Sequence, residues 1–520
     1  MTGFLWFFRK WFWIVLAWFK AFANKPLVIP MPMDGSSGAD SGAPLLVPVP
    51  LSQAIPGLPI DAVLACSADD IPPDERSRSK TGFYKFQVWL YSAYPPMQAG
   101  LPSIRPDPDR ALSKAYTWLH RTQYGPPTLP AEYLGSPDLG ALAVRGPYAC
   151  YTRRCADGLY EWDLQSLRDF EHHEGLVQLG ARVLFEVDAT QRVLRAVAID
   201  CALGRCTPGD SGWELAKRLA LCSATTHLSL VRHFNWVHLA SGAHLAIATR
   251  NRLPAAHALM RLLWPYVYAT QQSNDTVTRG QMLRGGDFET TFSFNFEGMC
   301  QLFDRSYGEC NFAMNDPVAD ARARQVLEQG FDTPTEQNLA ALFGVMLDHA
   351  REYLALYYPV AAQGRSIEDL QSDTALKAWL DELNRLVPNG VGLRSDALSF
   401  EGLARLVASV IYMASAQHEL LGSFLWNYQL WTHRQPIRVY ANGQPEPMDV
   451  YQRLVNANFN LNVRRRALIG DFGYLALDPQ GSACLQRFSA RLEELQQTMA
   501  REPWAVWKLY PRVLKVNINA

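Results

Sequence analysis

The chain has 520 residues with 49 basic and 50 acidic side chains, so no overall basic field argues for nucleic acid as a partner. Hydrophobic residues make up 48%, which permits a large buried core and excludes global disorder. Aromatic residues are unevenly placed: ten of the first 22 residues are Phe or Trp, including four of the 15 Trp.

Residues 1–25 hold that aromatic cluster, FLWFFRKWFWIVLAWFKAF over 4–22. Its longest uncharged apolar run, Trp11–Phe19, is nine residues, whereas a spanning helix needs ~20. The segment is therefore predicted to be an interfacial helix, with aromatic rings at headgroup depth and Arg9, Lys10 and Lys20 toward anionic lipid. The chain would then be a peripheral membrane protein. A second reading is a signal peptide, because Ala21-Phe22-Ala23 has small residues at cleavage-like positions; the protein would then be secreted or periplasmic. A helix capping its own core ranks third. Residues 26–81, with eight prolines between 26 and 60 and the tract DGSSGADSGAP, read as a linker or extended wrap. Residues 82–520 read as the globular body. The nine cysteines include two CxxxxC pairs, Cys150/Cys155 and Cys201/Cys206, which match no usual zinc spacing and read mostly as small buried hydrophobes.

A strand pair is predicted at Arg182–Val187 and Val193–Asp200, joined by a turn at Asp188–Gln191. Beyond Ser211 the pattern turns helical, with long apolar-rich segments at Trp213–Ala248, Thr335–Tyr358, Ile367–Leu386 and Phe400–Leu430. Thr335 and Ser399 are the expected N-caps. The fold class is mainly α with a small β-hairpin region.

Four histidines, His227, His233, His238 and His244, fall within 18 residues. His233 and His238 are spaced HxxxxH. On an α-helix, residues five apart point ~140° away from each other and cannot easily share an ion. In a π-turn, i and i+5 return to one side, and such turns mark functional sites. A locally widened helix presenting two imidazoles is therefore predicted. His227 and His244 lie six residues outside the pair, on the opposite side, and read as structural. A third imidazole should come from elsewhere; His418 lies late in a long helical pattern, where a buried histidine with no metal is the plainer reading. One turn after it stands Gly422, which has no side chain to offer.

At this point the chain resembles the catalytic domain of the lipoxygenases, non-haem iron dioxygenases of polyunsaturated fatty acids. The matching stretches are WELAKRLALCSATTHLSLVRHFNWVHLASGAHLAIATRNRLPAAHALMRLLWPY (213–266), GGDFETTF (285–292), EYLALYYP (352–359), IEDLQSDTALKAWLDELN (367–384) and ASVIYMASAQHELLG (408–422), with KVNINA similar to the family's closing segment. The resemblance is to a divergent, bacterial-type member without the family's N-terminal β-barrel domain. It implies a body built on a long π-distorted central helix, and iron, or manganese, held by His233, His238, His418 and the terminal carboxylate of Ala520. No side chain would be catalytic beyond a metal-bound hydroxide. O2 would be inserted into a 1,4-pentadiene unit of an unsaturated fatty acid or lipid, giving a hydroperoxide. Gly422 stands where the family places a weak ligand, and Gly422→Asn should be tolerated. Ser229 and Leu425 replace two glutamines that tie the metal helices to the substrate cavity. Leu253–Tyr268 and Gln281–Phe294 are candidate channel walls, with Gly285 and Gly286 allowing close approach of backbone or simply marking a bend. These departures keep open a lipoxygenase-fold oxygenase or hydroperoxide isomerase with another substrate. A metal-poor membrane-binding scaffold is a further alternative.

Overall fold

The computed structural model describes residues 2–23, 26–33, 35–77, 107–119, 127–327, 329–358, 367–442, 465–501 and 508–518, with 82, 86, 89 and 90. The body is mainly α. Its axis is one continuous helical run of three parts: α-helical Trp213–His227, π-helical Leu228–Ala243 and α-helical His244–Arg252. The run is buried on nearly all sides, as expected of a helix apolar all round. It ends where Pro254 forces Leu253 into an extended conformation (φ −98°, ψ 120°).

Helices Thr270–Gln281 and Phe296–Tyr307 pack against the π segment. Pro334–Tyr357 packs on both Phe400–Tyr412 and Pro479–Arg501. Ser399 caps Phe400–Tyr412 by accepting from the Gly402 N–H at 3.1 Å. Thr335 is not a cap. Pro334 takes the first helical position, which suits its fixed φ and missing N–H, and the Thr335 hydroxyl instead accepts from the Gly146 N–H at 2.9 Å. The segment expected at Ile367–Leu386 is two helices, Ile367–Ser372 and Thr374–Leu386, because Asp373 caps the second by accepting from Leu376 N–H.

The predicted strand pair belongs to a larger antiparallel sheet of Arg153–Arg154, Tyr160–Asp163, Arg182–Asp188, Val193–Cys201 and Gly204–Cys206 in sequential order. Arg182 pairs with Asp200 and Asp188 with Val193, with a bulge at Leu184/Phe185. The outer strands, of two to four residues, are too short to show alternation in the sequence.

Residues 26–77 lie against this body. Ile29, Leu46, Leu51, Leu58, Ile60 and Val63 are buried, and Pro48–Pro50 pairs with Leu64–Cys66. The end of the central helix holds them: Asn251 Oδ1 accepts from Leu45 and Leu46 N–H at 3.0 Å each. Arg250, with its guanidinium 4.7 Å over the Trp264 ring, pairs with Asp74 (2.7 Å) and Glu75 (2.9 Å).

Thr2–Ala23 is a single helix, and among the described residues no helix is long and apolar enough to cross a membrane. Trp13 and Ile14 are buried, whereas Phe7, Phe8, Trp11, Phe12, Val15, Phe19 and Phe22 are exposed. At ~100° per residue these seven fall within an arc of ~140°, with Trp13 on the far side.

Candidate metal centre

The structure brings His233, His238 and His418 together, with one ring nitrogen of each within 4.8 Å of the others. His238 Nε2 is 3.3 Å from His233 Nε2 and 3.1 Å from His418 Nε2. His238 and His418 are almost fully buried. Burial pushes the His233 imidazole well below its ordinary pKa, with His238 and His418 adding to the shift, and burial likewise lowers His418. His233 and His418 are therefore neutral at pH 7, the state that binds metal.

The π-turn explains how residues five apart meet. Its unusual backbone is held by polar side chains of Thr270–Gln281. Gln271 donates to the Ala243 carbonyl at 2.8 Å, and Asn274 Nδ2 donates to the His238 carbonyl at 2.9 Å. That second bond orients the Asn274 amide, so its Oδ1, 3.1 Å from His238 Nδ1, must accept. His238 therefore carries its proton on Nδ1 and turns the Nε2 lone pair inward. Phe234 stacks on the same ring (5.3 Å, 27°) and meets Phe288 at 5.0 Å, making an apolar wall.

These donors fit a metal ion. Three imidazole nitrogens converging at 3.1–3.3 Å, with the His238 lone pair turned inward, suit a cation between them. Nitrogens each about 2.1 Å from one ion, at right angles, stand about 3 Å apart.

His418 sits between two further π segments, Met413–Gln417 and Leu420–Phe424. Gly422, on the second, faces His233: a Cβ there would lie 3.0 Å from both Cε1 and Nε2 of the ring. A side chain at Gly422 therefore needs the His233 ring to give by a few tenths of an ångström. Gly422→Asn is expected to lower metal content per folded chain. Full occupancy on elemental analysis would show that His233 can yield.

Leu425 is buried and apolar, but the polar link expected to be missing there is made one turn later. Gln429 Nε2 donates to Ser229 Oγ at 2.7 Å and to the Thr225 hydroxyl. Ser229 thus joins the two histidine-bearing helices through Gln429, a residue not singled out in the sequence because its partner is remote.

Ala520 lies outside the described residues. The segment leading to it is fastened tightly. Lys515 Nζ donates to Glu419 Oε2 at 2.6 Å with both side chains buried, and Arg465 reaches the other oxygen at 3.3 Å. Burial raises the Glu419 pKa, but Lys515, His418 and Arg465 outweigh this and hold the carboxyl well below its ordinary value. Leu514 and Val516 pair with the backbone of Leu468 and Arg466. Ile518 packs against Gly242, one turn beyond His238, where a Cβ would overlap it. Two further residues reach at most ~7 Å.

His227 and His244 stay out of the cluster. His227 Nδ1 meets the Tyr151 hydroxyl at 2.8 Å, His244 meets Tyr307, and burial lowers each imidazole to about 3. Gly285 is exposed in a left-handed turn (φ 77°), and Gly286 closes that turn by donating to the Leu283 carbonyl at 2.7 Å. The pair makes a bend, with Gly285 exposed and Gly286 buried. Phe288, just beyond it, reaches the site through Phe234.

A mainly α body on a π-distorted central helix, carrying three inward imidazoles, defines a non-haem metal-protein architecture. The lipoxygenase family model matches residues 197–458, half of the sequence, and the chain belongs to the lipoxygenase family. Polyunsaturated fatty acid lipoxygenase ALOX15B of Homo sapiens is 24% identical over 234 residues, a match covering 44% of this chain and 33% of the relative. The chain thus spans about a third of that relative's length. The fold is shared with the anaerobic crystal structure of a lipoxygenase variant in complex with arachidonate (TM-score 0.73, 16% identity, 88% of this chain and 78% of that one). It is also shared with manganese lipoxygenase of Gaeumannomyces graminis (TM-score 0.71, 13% identity, 90% and 96%).

Proposed function

We propose that this protein is a non-haem metal dioxygenase that inserts O2 into the 1,4-pentadiene unit of a polyunsaturated fatty acid or lipid, giving a hydroperoxide. The observation that carries the reading is the buried set of His233, His238 and His418 Nε2 atoms on π-distorted helices. We assign these three imidazoles and the carboxylate of Ala520 as the protein ligands of iron; manganese suits the same donors. When bound, the metal supplies the one-electron redox chemistry that starts oxygen insertion. The chain's own contribution is positional: Asn274 holds the His238 tautomer, and Phe234 and Phe288 keep water from its ring. Purified protein should contain about one iron or manganese per chain and form conjugated diene from linoleate and O2. Absence of metal would reject the assignment. Gly422, which offers no ligand atom, favours a second reading in which the same centre acts on a different substrate or a preformed hydroperoxide. Metal without diene formation would select it.

The exposed aromatic arc of Thr2–Ala23 supports a further assignment, a contact with the membrane interface. Trp11→Ser with Phe19→Ser and Phe22→Ser should weaken sedimentation with anionic liposomes about tenfold or more, at ~0.8 kcal/mol per buried CH₂. Turnover of detergent-dispersed substrate should be retained. Unchanged liposome binding would remove this role. Trp13 is left intact because it is buried.

A further inference from the structure

Residues 26–33, PLVIPMPM, follow the aromatic helix in the sequence and carry no charged or polar side chain. The inner side of this ribbon is pinned to the body. Ile29 and Pro32 are buried. The Ile29 carbonyl accepts from the Tyr474 hydroxyl at 2.8 Å, and the Pro30 carbonyl accepts from Trp264 Nε1 at 2.6 Å. The outer side is open: Val28 is 81% exposed, Met33 65% and Met31 40%. A single exposed apolar residue needs no explanation, but a run of them on a segment held in place does.

The run continues on a distant part of the chain. Tyr474, whose hydroxyl is spent on Ile29, still exposes its ring, and Leu477 is exposed three residues on. Both belong to the turn around Gly473–Leu475, which leads into Pro479–Arg501. The Tyr474 bond thus sets the ribbon and this turn side by side.

The backbone narrows what can cover such a face. Three of the eight ribbon residues are proline and have no N–H to donate. The Met33 N–H donates to the Ser36 hydroxyl at 3.0 Å, and its carbonyl accepts from the Ser36 N–H at 2.8 Å. The ribbon therefore offers little to a strand of another protein, which would pair through N–H and C=O groups. It also loses little on entering an apolar medium, where unpaired backbone groups are the main cost. The charged neighbours of the turn have both signs. Arg466 lies 5.2 Å over the Phe472 ring, and Asp471 and Asp478 flank the turn. Apolar contact, not charge, governs this face.

We propose that Val28, Met31, Met33, Tyr474 and Leu477 form a second contact with the lipid bilayer, one that belongs to the body itself. The proposal rests on the membrane reading of Thr2–Ala23. That helix alone would be a tether, about which the body could swing. Two contacts give the body one orientation. Tyr474 is the joint, with its ring at headgroup level and its hydroxyl holding the ribbon. The turn is firmly based, because Pro479–Arg501 packs against Pro334–Tyr357.

Met31 and Met33 report the contact in the unmutated protein. An aqueous oxidant converts exposed methionine to the sulfoxide, which mass spectrometry counts. Oxidation of both should slow about fivefold or more once the protein is bound to liposomes of phosphatidylcholine and phosphatidylglycerol. Val28→Ser with Met31→Ser and Met33→Ser should weaken sedimentation with these liposomes about tenfold, as loss of exposed apolar area predicts. The factor should be the same at low and high salt. Unchanged oxidation on liposomes that sediment the protein overturns the proposal. So does protection that grows with protein concentration in the absence of lipid, which would assign the face to a second copy of the chain. Failure of the helix reading shows separately: the Trp11→Ser, Phe19→Ser, Phe22→Ser protein would then bind liposomes like the wild type.

Discussion

His418→Ala is expected to leave a folded protein that retains almost no metal, with turnover reduced by well over 100-fold. Losing an outer hydrogen-bond partner of a ligand already costs about 10–100-fold in metal affinity or activity, and here a nitrogen of the set itself disappears. His418 Nε2 is 3.1 Å from that of His238, while its Nδ1 lies 3.7 Å from Glu419 Oε1, too far for a hydrogen bond. Removal of the ring therefore cuts into the candidate metal site while losing only this long contact to Glu419, which keeps Lys515 and Arg465. Elemental analysis beside a melting curve separates the two effects. A variant with full metal content and normal turnover would take His418 out of the ligand set.

The second large effect is expected at the tail. Lys515→Met should destabilise the protein by about 3 kcal/mol, read as a lowered denaturation midpoint at unchanged slope. Breaking a buried ion pair from one side costs about 3–5 kcal/mol, because the other charge stays buried. Here that charge is Glu419, and Arg465 at 3.3 Å remains to share it, which places the loss at the lower end. Glu419→Gln together with Lys515→Met should recover most of it, since no charge is then stranded. A single Lys515→Met as stable as the wild type would mean that the pair contributes nothing net. Because Glu419 follows His418 and Lys515 leads into the closing segment, the single variant should also loosen the metal.

The central helix, its π-turn and the meeting of His233 with His238 were legible because spacing alone excludes a shared α-helical face. His418 was legible through the family resemblance, since nothing local distinguishes it from a buried histidine. The short outer strands were not, because two to four residues carry no measurable alternation. Asn274 and Gln429 were hidden for another reason: each is one polar residue in a helix, and its value comes from a partner 36 or 200 positions away. Thr335 misled because a hydroxyl after proline looks like a cap until proline itself occupies the first turn.

The sixteen π-helical residues have a consequence for how this chain can change. Deleting one residue between His233 and His238 would leave them four apart, a spacing an ordinary α-helix already places on one face. The pair alone does not demand the wide turn. Its surroundings do: Asn235 donates to the Phe303 carbonyl at 2.8 Å and Trp236 to that of Ser306 at 2.7 Å, while His238 is locked to Asn274 from another side. A deletion rotates one set of partners away whichever residue is lost. Over this stretch the protein should accept many exchanges of one amino acid for another, yet almost no change in their number. Insertions and deletions among its descendants should accordingly collect in the outer loops and spare residues 228–243.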